Sequence, residues 1–279
     1  MPEDGMRIAI QGEFGSFSHE AALLLAPEAT VVPCALSPEV FTLVEEQKVS
    51  AAVIPIENSI AGSVTEHFDL LFQRDVQIER ESLLRIRHNL IGLPGAELAE
   101  IHRVFSHPVS LAQCRRFLLA NPRIETVPFY DTAGSVKRLV ESGERASAAI
   151  ASEQAARFYG GEILAAGIED NPANFTRFFL VRRRGHTVVH AAPDKISVAF
   201  IVENRAGALA SALQAFAQHN TNLTKIESRP VQGQPWQYVF YADCQLQDPD
   251  LIRAALEQLR RECLLVRELG CYLSATAGV

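Results

Sequence analysis

Short apolar segments alternate with amphipathic ones over the first part of the chain. Residues 7–10, 30–32 and 51–56 are apolar runs of strand length, and a glycine turn at Gly62 follows the third. Apolar residues at helical spacing follow the first two runs and predict two helices. Ser18 and Ser37 are their expected N-caps, and Pro38 is expected as the first residue of the second helix. Strand–helix alternation with short loops predicts a mainly parallel α/β sheet.

The middle of the chain first loses and then regains this alternation. Residues 76–93 are apolar without helical spacing, which predicts one or two extended strands that carry the chain into a second lobe. Further elements are then predicted, namely strands at 104–105, 125–129, 146–151 and 175–181 and helices at 108–119, 133–141 and 152–158. This there-and-back path predicts two α/β lobes with a ligand-binding cleft between them.

The pattern restarts near residue 195 as a compact unit. Strands are predicted at 196–202, 223–227, 238–244 and 264–272, with helices at 206–219 and 248–261. This βαββαβ order is that of a ferredoxin-like domain. We therefore expect a first domain at 1–185, made of the two lobes, and a second domain at 195–275.

Composition narrows the possible functions. The 279 residues are 48% hydrophobic and carry a net charge of −7, a balance that suits a globular protein and argues against a nucleic-acid surface. No apolar run approaches the ~20 residues that cross a bilayer, and the acidic N-terminus has no secretory h-region. We expect a cytoplasmic protein without membrane or nucleic-acid partners.

The cysteines and histidines give no metal motif. Five scattered cysteines without a C-x-x-C pair are typical of reduced, mostly buried thiols (Cys34, Cys114, Cys244, Cys263, Cys271). His186 and His190 are four residues apart, but their surroundings are not helical and no second pair of ligands follows. We expect no metal site.

Polar residues collect just after the predicted strands, where parallel strands face a ligand crevice. They lie at 12–18, 57–59, 106–107, 131–132 and 152. Helix N-termini at this edge suit an anionic ligand, yet each loop has a structural alternative, because strand-to-helix loops always need caps. The segment 174–178, a Thr–Arg pair between two Phe residues, is likewise either a site or an ordinary strand.

Five segments, taken in order, resemble the motifs of the prephenate dehydratases. They are 12–18 (GEFGSFS), 55–59 (PIENS), 106–108 with 113–114 (SHP and QC), 131–133 (DTA) and 176–178 (TRF). The tail resembles an ACT regulatory domain through 207–210 (GALA) and 227–230 (ESRP). The resemblance covers nearly the whole chain. It implies a two-lobed, periplasmic-binding-protein-like α/β catalytic domain followed by the ferredoxin-like ACT domain.

The chain departs from the usual motifs at four positions. The family usually has Pro where this chain has Glu13, and Thr where it has Ser16. The serine keeps a hydroxyl, so the first site is expected to survive. Val109 replaces a common Gln, which removes one amide, and Ala210 replaces a common Val, which reduces effector packing.

The resemblance implies decarboxylating dehydration of prephenate to phenylpyruvate. Aromatisation of the ring drives the loss of carbon dioxide and hydroxide, so no redox cofactor, metal or Schiff base is required. The reaction needs a proton donor at the departing hydroxyl and a site that orients the dianion. Thr176 is the implied donor, through a hydrogen bond that strengthens in the transition state and lowers the barrier by ~3 kcal/mol.

The resemblance also implies which residues surround the substrate. They are Ser16, Ser18, Glu57, Asn58, Ser59, Ser106, Gln113, Asp131, Thr132, Ser152, Arg177 and Phe178. Because Glu57 repels a dianion, we expect it to orient donors or to stay protonated through burial. Because Arg177 alternates with Thr176 along a strand, we favour a structural salt bridge for it over carboxylate binding.

The ACT-like tail implies control by L-phenylalanine, bound between paired ACT domains. The implied effector residues are Asn204, Gly207, Ala208, Leu209, Ala210, Glu227, Ser228, Arg229 and Pro230. Exposed edge strands of such a domain favour pairing between chains, so we expect a homodimer or a homotetramer.

Three alternatives stay open from the sequence. The first is a two-lobed solute-binding protein or amino-acid sensor without catalysis: the missing export signal disfavours a periplasmic receptor, and the low positive charge disfavours a DNA-binding regulator. A dehydrogenase with an ACT domain needs a G-x-G-x-x-G turn, which residues 12–15 do not supply. Arogenate dehydratase, whose substrate carries an amino group in place of the keto oxygen, is not separated from prephenate use.

Overall fold

The chain packs into two compact units, which the computed structural model describes over residues 5–188 and 192–275. The first unit joins the segment up to Val64 with Ser82–Phe178, and the second joins Thr65–Glu81 with the chain from Phe179 onwards. Packing thus assigns residues 65–81 to the C-terminal unit, whereas the predicted boundaries, 1–185 and 195–275, follow the motifs along the chain.

The elements alternate as the apolar pattern predicts. The strands are β1 (Arg7–Gln11), β2 (Thr30–Cys34), β3 (Ala51–Asn58), β4 (Gly62–Ser63), β5 (Val76–Arg85), β6 (Asn89–Gly92), β7 (Arg103–Ser106), β8 (Glu125–Pro128), β9 (Ser147–Ala151), β10 (Glu162–Ala165), β11 (Phe175–Arg183), β12 (Lys195–Ile201), β13 (Leu223–Pro230), β14 (Tyr238–Gln245) and β15 (Leu265–Tyr272). The helices are α1 (Phe17–Leu25), α2 (Ser37–Glu45), α3 (Thr65–Gln73), α4 (Pro108–Gln113), α5 (Arg115–Ala120), α6 (Thr132–Ser142), α7 (Glu153–Tyr159), α8 (Ala208–Gln218) and α9 (Pro249–Glu262).

Two sheets form the lobes of the predicted catalytic domain. The first has the order β2-β1-β3-β11-β5 with β4 beside β3, and the second has the order β10-β6-β9-β7-β8. Parallel pairing of β1 with β2 and β3 agrees with the prediction. In the second sheet only β7 pairs parallel with β8 and β9, while β6 pairs antiparallel with β9 and β10. The second sheet therefore mixes parallel and antiparallel pairs, because β6 enters it from an extended connection rather than a crossover helix.

Three local predictions are corrected by the structure. Ser16, not Ser18, is the N-cap of α1, because its extended backbone (φ −67°, ψ 164°) lets Oγ accept from the N–H of His19. Ser37 is already helical, and Leu36 occupies the cap position of α2 without a side-chain bond. The predicted helix 108–119 is two short helices, broken at Cys114 (φ −115°, ψ 26°).

The C-terminal sheet confirms the ferredoxin-like prediction. Its order is β13-β14-β12-β15, with β12 antiparallel to both neighbours. Helices α8 and α9 cover one face, over a core that includes Val198, Phe200 and Phe216. Asp248 caps α9 through the N–H of Asp250, and Pro249 lies in the first turn, as expected from their N-terminal preferences.

Two further features concern the helices and the cysteines. Among the helices of residues 5–188 and 192–275, none combines the length and apolar character needed to cross a bilayer. The five cysteines all lie in this described part and are free thiols, three of them buried. Burial raises the pKa of the Cys34 thiol to about 11, which keeps it protonated and unreactive at neutral pH.

Candidate active site

The Thr176 hydroxyl lies in a cluster of side-chain amides. Thr176 is the second residue of β11 and is 8% exposed. Asn58, at the end of β3, turns its amide nitrogen toward this strand: Nδ2 lies 2.9 Å from Thr176 Oγ1, 2.8 Å from Asn174 Oδ1 and 3.2 Å from the Phe175 carbonyl. The hydroxyl oxygen accepts from Asn58, so the hydroxyl proton is left for donation to another acceptor.

The orientation of the Asn58 amide is fixed from its other end. Oδ1 accepts from the N–H groups of Ile60 (3.0 Å) and Ala61 (2.8 Å), which form the turn after β3. Gln113 Nε2 also approaches Asn58 Oδ1, at 3.3 Å. Because three donors face Oδ1, the amide nitrogen must face Thr176, and residues 55 to 118 positions apart in sequence are brought together.

A second layer holds Gln113 in turn. Its Oε1 accepts from Asn174 Nδ2 at 3.0 Å and lies 2.9 Å from His88 Nε2. Since the amide oxygen of Gln113 is the acceptor, Nε2 of His88 carries a proton. Burial lowers the pKa of His88, although the bond with Gln113 and the charge of Glu169 act in the opposite direction. His88 is therefore neutral, and its Nδ1 is buried without a partner among the described residues.

We expect His88 to make folding stability depend on pH. Its pKa in the folded state lies below the ordinary value of 6.5, so the unfolded chain takes up the proton first as the pH falls. The free energy of unfolding then decreases below pH 6.5 until the folded pKa is reached. A His88→Gln variant keeps an amide donor toward Gln113 but does not titrate. Urea unfolding of both proteins on either side of pH 6.5 should show a smaller pH dependence in the variant, and identical dependences would contradict this role.

The loop between β1 and α1 connects the two lobes of the catalytic domain. Ser16 Oγ accepts from His19 N at 3.3 Å, and His19 Nδ1 accepts from Gly15 N at 2.9 Å. Ser152 Oγ donates to the Gly15 carbonyl at 2.6 Å and accepts from Ala155 N. Ser16 thus caps α1 and Ser18 lies in its first turn, whereas the Ser152 hydroxyl donates to the main chain of the opposite lobe.

Glu13, where the family usually has Pro, adds side-chain bonds across the same lobes. Tyr130 donates to Glu13 Oε1 at 2.9 Å, and Lys137 Nζ lies 3.2 Å from Oε2. Burial and the neighbouring Glu13 raise the pKa of Tyr130 to about 12. The unusual residue is therefore a structural link between the loop after β1 and the segment that carries Asp131.

Gly15 gives a direct test of this close approach. Its φ is +80°, and a Cβ there would lie 2.6 Å from Ala155 Cα. We expect Gly15→Ala to lower the free energy of unfolding by about 1–3 kcal/mol beyond the cost of the left-handed backbone. Gly143→Ala is the matched control, because Gly143 has φ +67° and open space around its Cα. Denaturant unfolding in which both variants lose the same amount would contradict the contact.

The other predicted substrate residues fall into different environments. Ser106 Oγ donates to the Ile150 carbonyl at 2.6 Å and is fully buried. Asp131 caps α6 by accepting from Gly134 N at 2.7 Å, and burial raises the pKa of its carboxyl. Thr132 is the first residue of α6 and is half-buried. Ser106 therefore fixes the end of β7, and Asp131 fixes the start of α6.

The residues beside Asn58 and Thr176 pair β3 with the strands next to it. Glu57 is in register with Ser63, and Ser59 Oγ donates to the Ala173 carbonyl while accepting from Phe175 N. Along β11, exposure alternates as expected for a strand: Thr176 and Phe178 are buried and Arg177 is half-buried. The salt bridge expected for Arg177 stays a prediction.

The two expected effector segments lie at one end of the C-terminal sheet. Ile201 and Arg229 are both in register with Val239, one on each side of β14. Two strand spacings therefore separate the ends of β12 and β13, about 10 Å. Gly207 (φ +83°) is the N-cap of α8 and offers no side-chain acceptor to the helix. The exposed loop with Asn204 leads into this cap, and Ala208, Leu209 and Ala210 form its first turn.

Metal ligands do not cluster in the described residues: over 5–188 and 192–275 there is no group of three or more His, Cys, Asp or Glu side chains that could hold an ion. Of the histidine pair considered from the sequence, His186 lies in the described part and His190 lies outside it.

His88 and Asn174 are the members of the cluster that sequence reasoning did not assign. Both are buried, and both bind Gln113. The signal for His88 was the polar pair His88–Asn89 inside an otherwise apolar stretch. Asn174 opens the segment 174–178, which the sequence analysis singled out without giving Asn174 a role of its own.

Comparisons with known proteins agree with this architecture. A family model described as prephenate dehydratase matches residues 8–186, and a model described as ACT domain matches residues 196–261. A relative from Arabidopsis thaliana, arogenate dehydratase/prephenate dehydratase 1 (chloroplastic), is 37% identical over 282 residues, covering 96% of this chain and 72% of that protein.

Two solved structures are similar over nearly the full length. Prephenate dehydratase from Arthrobacter aurescens, in complex with L-Phe, has a TM-score of 0.88 at 34% identity, with 96% of this chain and 90% of that chain covered. GqqA, described as a novel type of quorum quenching acylase, has a TM-score of 0.88 at 33% identity, with 97% and 98% covered.

Fold and site together define a two-lobed α/β domain with a buried hydroxyl–amide cluster, followed by a ferredoxin-like domain of the ACT type. The chain belongs to the prephenate dehydratase family. The resemblance read from the sequence motifs is thereby confirmed.

Proposed function

We propose that the chain dehydrates and decarboxylates prephenate to phenylpyruvate, a lyase reaction in L-phenylalanine biosynthesis. The observation that carries the proposal is the bond from Asn58 Nδ2 to Thr176 Oγ1, which leaves the threonine proton for a departing oxygen. The family match over residues 8–186 supports it.

Thr176 acts as a hydrogen-bond donor rather than as a free acid. Hydroxide is a poor leaving group, and an aliphatic hydroxyl does not release its proton to solvent at neutral pH. A donor aimed at the oxygen gains strength as negative charge develops there, and one such donor contributes about 3–4 kcal/mol to catalysis. Aromatisation of the ring supplies the driving force, so the residues only need to orient the dianion and assist departure.

The substrate-binding residues divide by what their side chains already contact. Ser16 caps α1, and Ser18 and Thr132 lie in the first turns of α1 and α6, whose N–H groups suit the two carboxylates. Asn58 and Gln113 orient the donor. We propose supporting roles for the rest, which frame the site through the main chain or the strand core: Glu57, Ser59, Ser106, Asp131, Ser152, Arg177 and Phe178.

Arogenate is the alternative substrate within the same chemistry. The Arabidopsis thaliana relative is named for both arogenate and prephenate dehydratase activities. Arogenate differs only by an amino group in place of the keto oxygen, away from the leaving hydroxyl. The Thr176 cluster therefore serves both substrates equally. The residues around the keto or amino group of the substrate decide between them.

Acylase chemistry is not supported by the Thr176 site, although GqqA is described as an acylase. A hydroxyl nucleophile needs an adjacent base to take its proton. Among the described residues, the side chain within hydrogen-bond distance of Thr176 Oγ1 is the Asn58 amide, which donates and cannot accept a proton there.

Control by L-phenylalanine is the proposed role of the C-terminal domain. The Arthrobacter aurescens structure is a complex with L-Phe. In this chain the N-cap Gly207 presents helix N–H groups that suit a carboxylate. Exposed apolar side chains on and beside the edge strand β13 favour pairing between copies (Ile226 46%, Trp236 76%, Tyr238 42%). We propose a cytoplasmic homodimer or homotetramer, with catalytic residues in 1–185 and regulatory residues in 195–275.

The decisive assay supplies prephenate and arogenate separately, with and without L-phenylalanine. Phenylpyruvate from prephenate, or phenylalanine from arogenate, supports the proposal and identifies the substrate. A protein that leaves both substrates unchanged would refute it. Gel filtration at micromolar concentration tests the assembly, and a single monomeric species would contradict it.

A further inference from the structure

Helix α3 belongs to the catalytic family match, yet it packs in the C-terminal unit. Its Phe68 and Phe72 rings contact the Tyr241 ring, with centroids 5.0 and 6.3 Å apart, and Lys225 Nζ lies 5.5 Å from the Phe68 centroid. Arg267 donates to the carbonyls of Phe72 and Arg74 at the end of the helix. This face of the ferredoxin-like sheet is the one not covered by α8 and α9.

An ion pair joins α3 to the expected effector motif. Arg229, the arginine of the segment 227–230, donates from Nη2 to Asp69 Oδ2 at 2.9 Å and from Nε to Oδ1 at 3.3 Å. The side chains are only 26% and 14% exposed. A bidentate pair at such low exposure is stronger and more oriented than a surface pair.

A buried hydroxyl, that of Tyr241, lies within the electrostatic influence of the pair. The Tyr241 hydroxyl is buried and has no hydrogen-bond partner among the described residues. The negative charge of Asp69 and the positive charge of Arg229 both act on this hydroxyl. In the structure this hydroxyl does not bond Asp69, so an arrangement in which it does is a second state, distinct from the Arg229–Asp69 pair.

Six residues, 59–64, connect Asn58 of the catalytic cluster to the start of α3. Asn58 is in register with Gly62, the Val64 N–H donates to the Ile56 carbonyl at 2.9 Å, and α3 begins at Thr65. A shift of α3 therefore pulls on the turn whose N–H groups hold Asn58 Oδ1. Asn58 in turn directs the Thr176 hydroxyl.

We propose that the Arg229–Asp69 pair couples effector binding to catalysis. The effector carboxylate, which the N–H groups after Gly207 also bind, draws Arg229 away from Asp69. Asp69 then accepts from the Tyr241 hydroxyl instead, and α3 moves with the turn that positions Asn58. The inference rests on the proposed function, since it names the route by which an effector at residues 227–230 controls the Thr176 site. It assigns positioning roles to Asp69 and Tyr241, neither of which contacts substrate.

Two variants test whether Asp69 exchanges Arg229 for Tyr241, and they should have opposite effects on L-phenylalanine binding. In Asp69→Asn the effector competes with a neutral amide for Arg229, so calorimetry should show L-phenylalanine binding tighter by roughly fivefold while its effect on kcat/KM shrinks by a similar factor. Tyr241→Phe removes the alternative partner, so L-phenylalanine should bind more weakly and also affect kcat/KM less. Without effector, both variants should retain kcat/KM within about threefold of wild type, because neither residue contacts substrate and the asparagine amide oxygen still accepts from Arg229.

Asp75→Asn is the matched control, because Asp75 follows α3 and pairs with Arg183 and Arg184 at 3.9 and 3.6 Å on the surface. It should bind and respond as wild type. Weaker binding in Asp69→Asn, an unchanged response, or a Tyr241→Phe variant identical to wild type would each overturn the inference. Wild-type protein that turns over prephenate or arogenate but ignores L-phenylalanine would refute the regulatory part of the proposed function, and protein that turns over neither would refute the catalytic part.

Discussion

Thr176→Ala should lower kcat by roughly 10²–10³-fold, the usual cost of removing one donor to a developing oxyanion. The change removes a small side chain from the start of β11 and leaves the Asn58 amide its bonds to Asn174 Oδ1 and the Phe175 carbonyl. The protein should therefore fold as wild type and bind substrate with a similar KM. Steady-state kinetics with prephenate, followed at the absorbance of phenylpyruvate, measure both parameters.

Thr176→Ser separates the hydroxyl from the rest of the side chain. Serine can still accept from Asn58 and donate to the leaving oxygen, but it lacks the β-branch that restricts the threonine rotamer. We expect kcat within about tenfold of wild type. A serine variant as slow as the alanine variant, or an alanine variant near the wild-type rate, would remove Thr176 from the mechanism.

Asn58→Asp should be nearly as damaging for turnover, although it changes one atom. A carboxylate cannot donate to Thr176 Oγ1, so the hydroxyl turns its proton toward residue 58 and away from the substrate. The new oxygen also faces Asn174 Oδ1 and the Phe175 carbonyl, which lie 2.8 and 3.2 Å from the present amide nitrogen. We expect kcat to fall roughly 10²-fold and the free energy of unfolding to fall by about 1–3 kcal/mol.

Asn171→Asp provides the matched control for this change. Asn171 lies in the exposed loop before β11, where its Oδ1 accepts from Ala173 N at 2.9 Å. A carboxylate provides the same acceptor, so activity and denaturant unfolding should both stay close to wild type. If the two variants behaved alike, the amide of Asn58 would have no special role.

Much of the architecture could be predicted because the apolar runs have clear periods. The βαββαβ order of the tail followed from strand and helix spacing alone. Helix α3 was missed although His67, Phe68, Leu70 and Leu71 are buried at helical spacing. Its placement in the C-terminal unit had no sequence signal, because it depends on partners such as Arg229 that are 160 residues away.

The candidate site was predictable in its residues but not in its contacts. Motif order pointed to Asn58, Gln113 and Thr176, whereas the bonds among them join segments that are distant in sequence. The cap of α1 was misplaced because two serines lie two residues apart, and only the extended backbone at Ser16 decides between them. The break between α4 and α5 at Cys114 could not be predicted, because no glycine or proline lies there.

The proton donated by Thr176 can be tested by changing the leaving group. A prephenate analogue with fluorine in place of the ring hydroxyl releases fluoride, which is far less basic than hydroxide and needs little help from a donor. We predict that the fold decrease in kcat/KM from wild type to Thr176→Ala is at least ten times smaller on this analogue than on prephenate. An equal loss on both substrates would contradict the account, because Thr176 would then only position the ring.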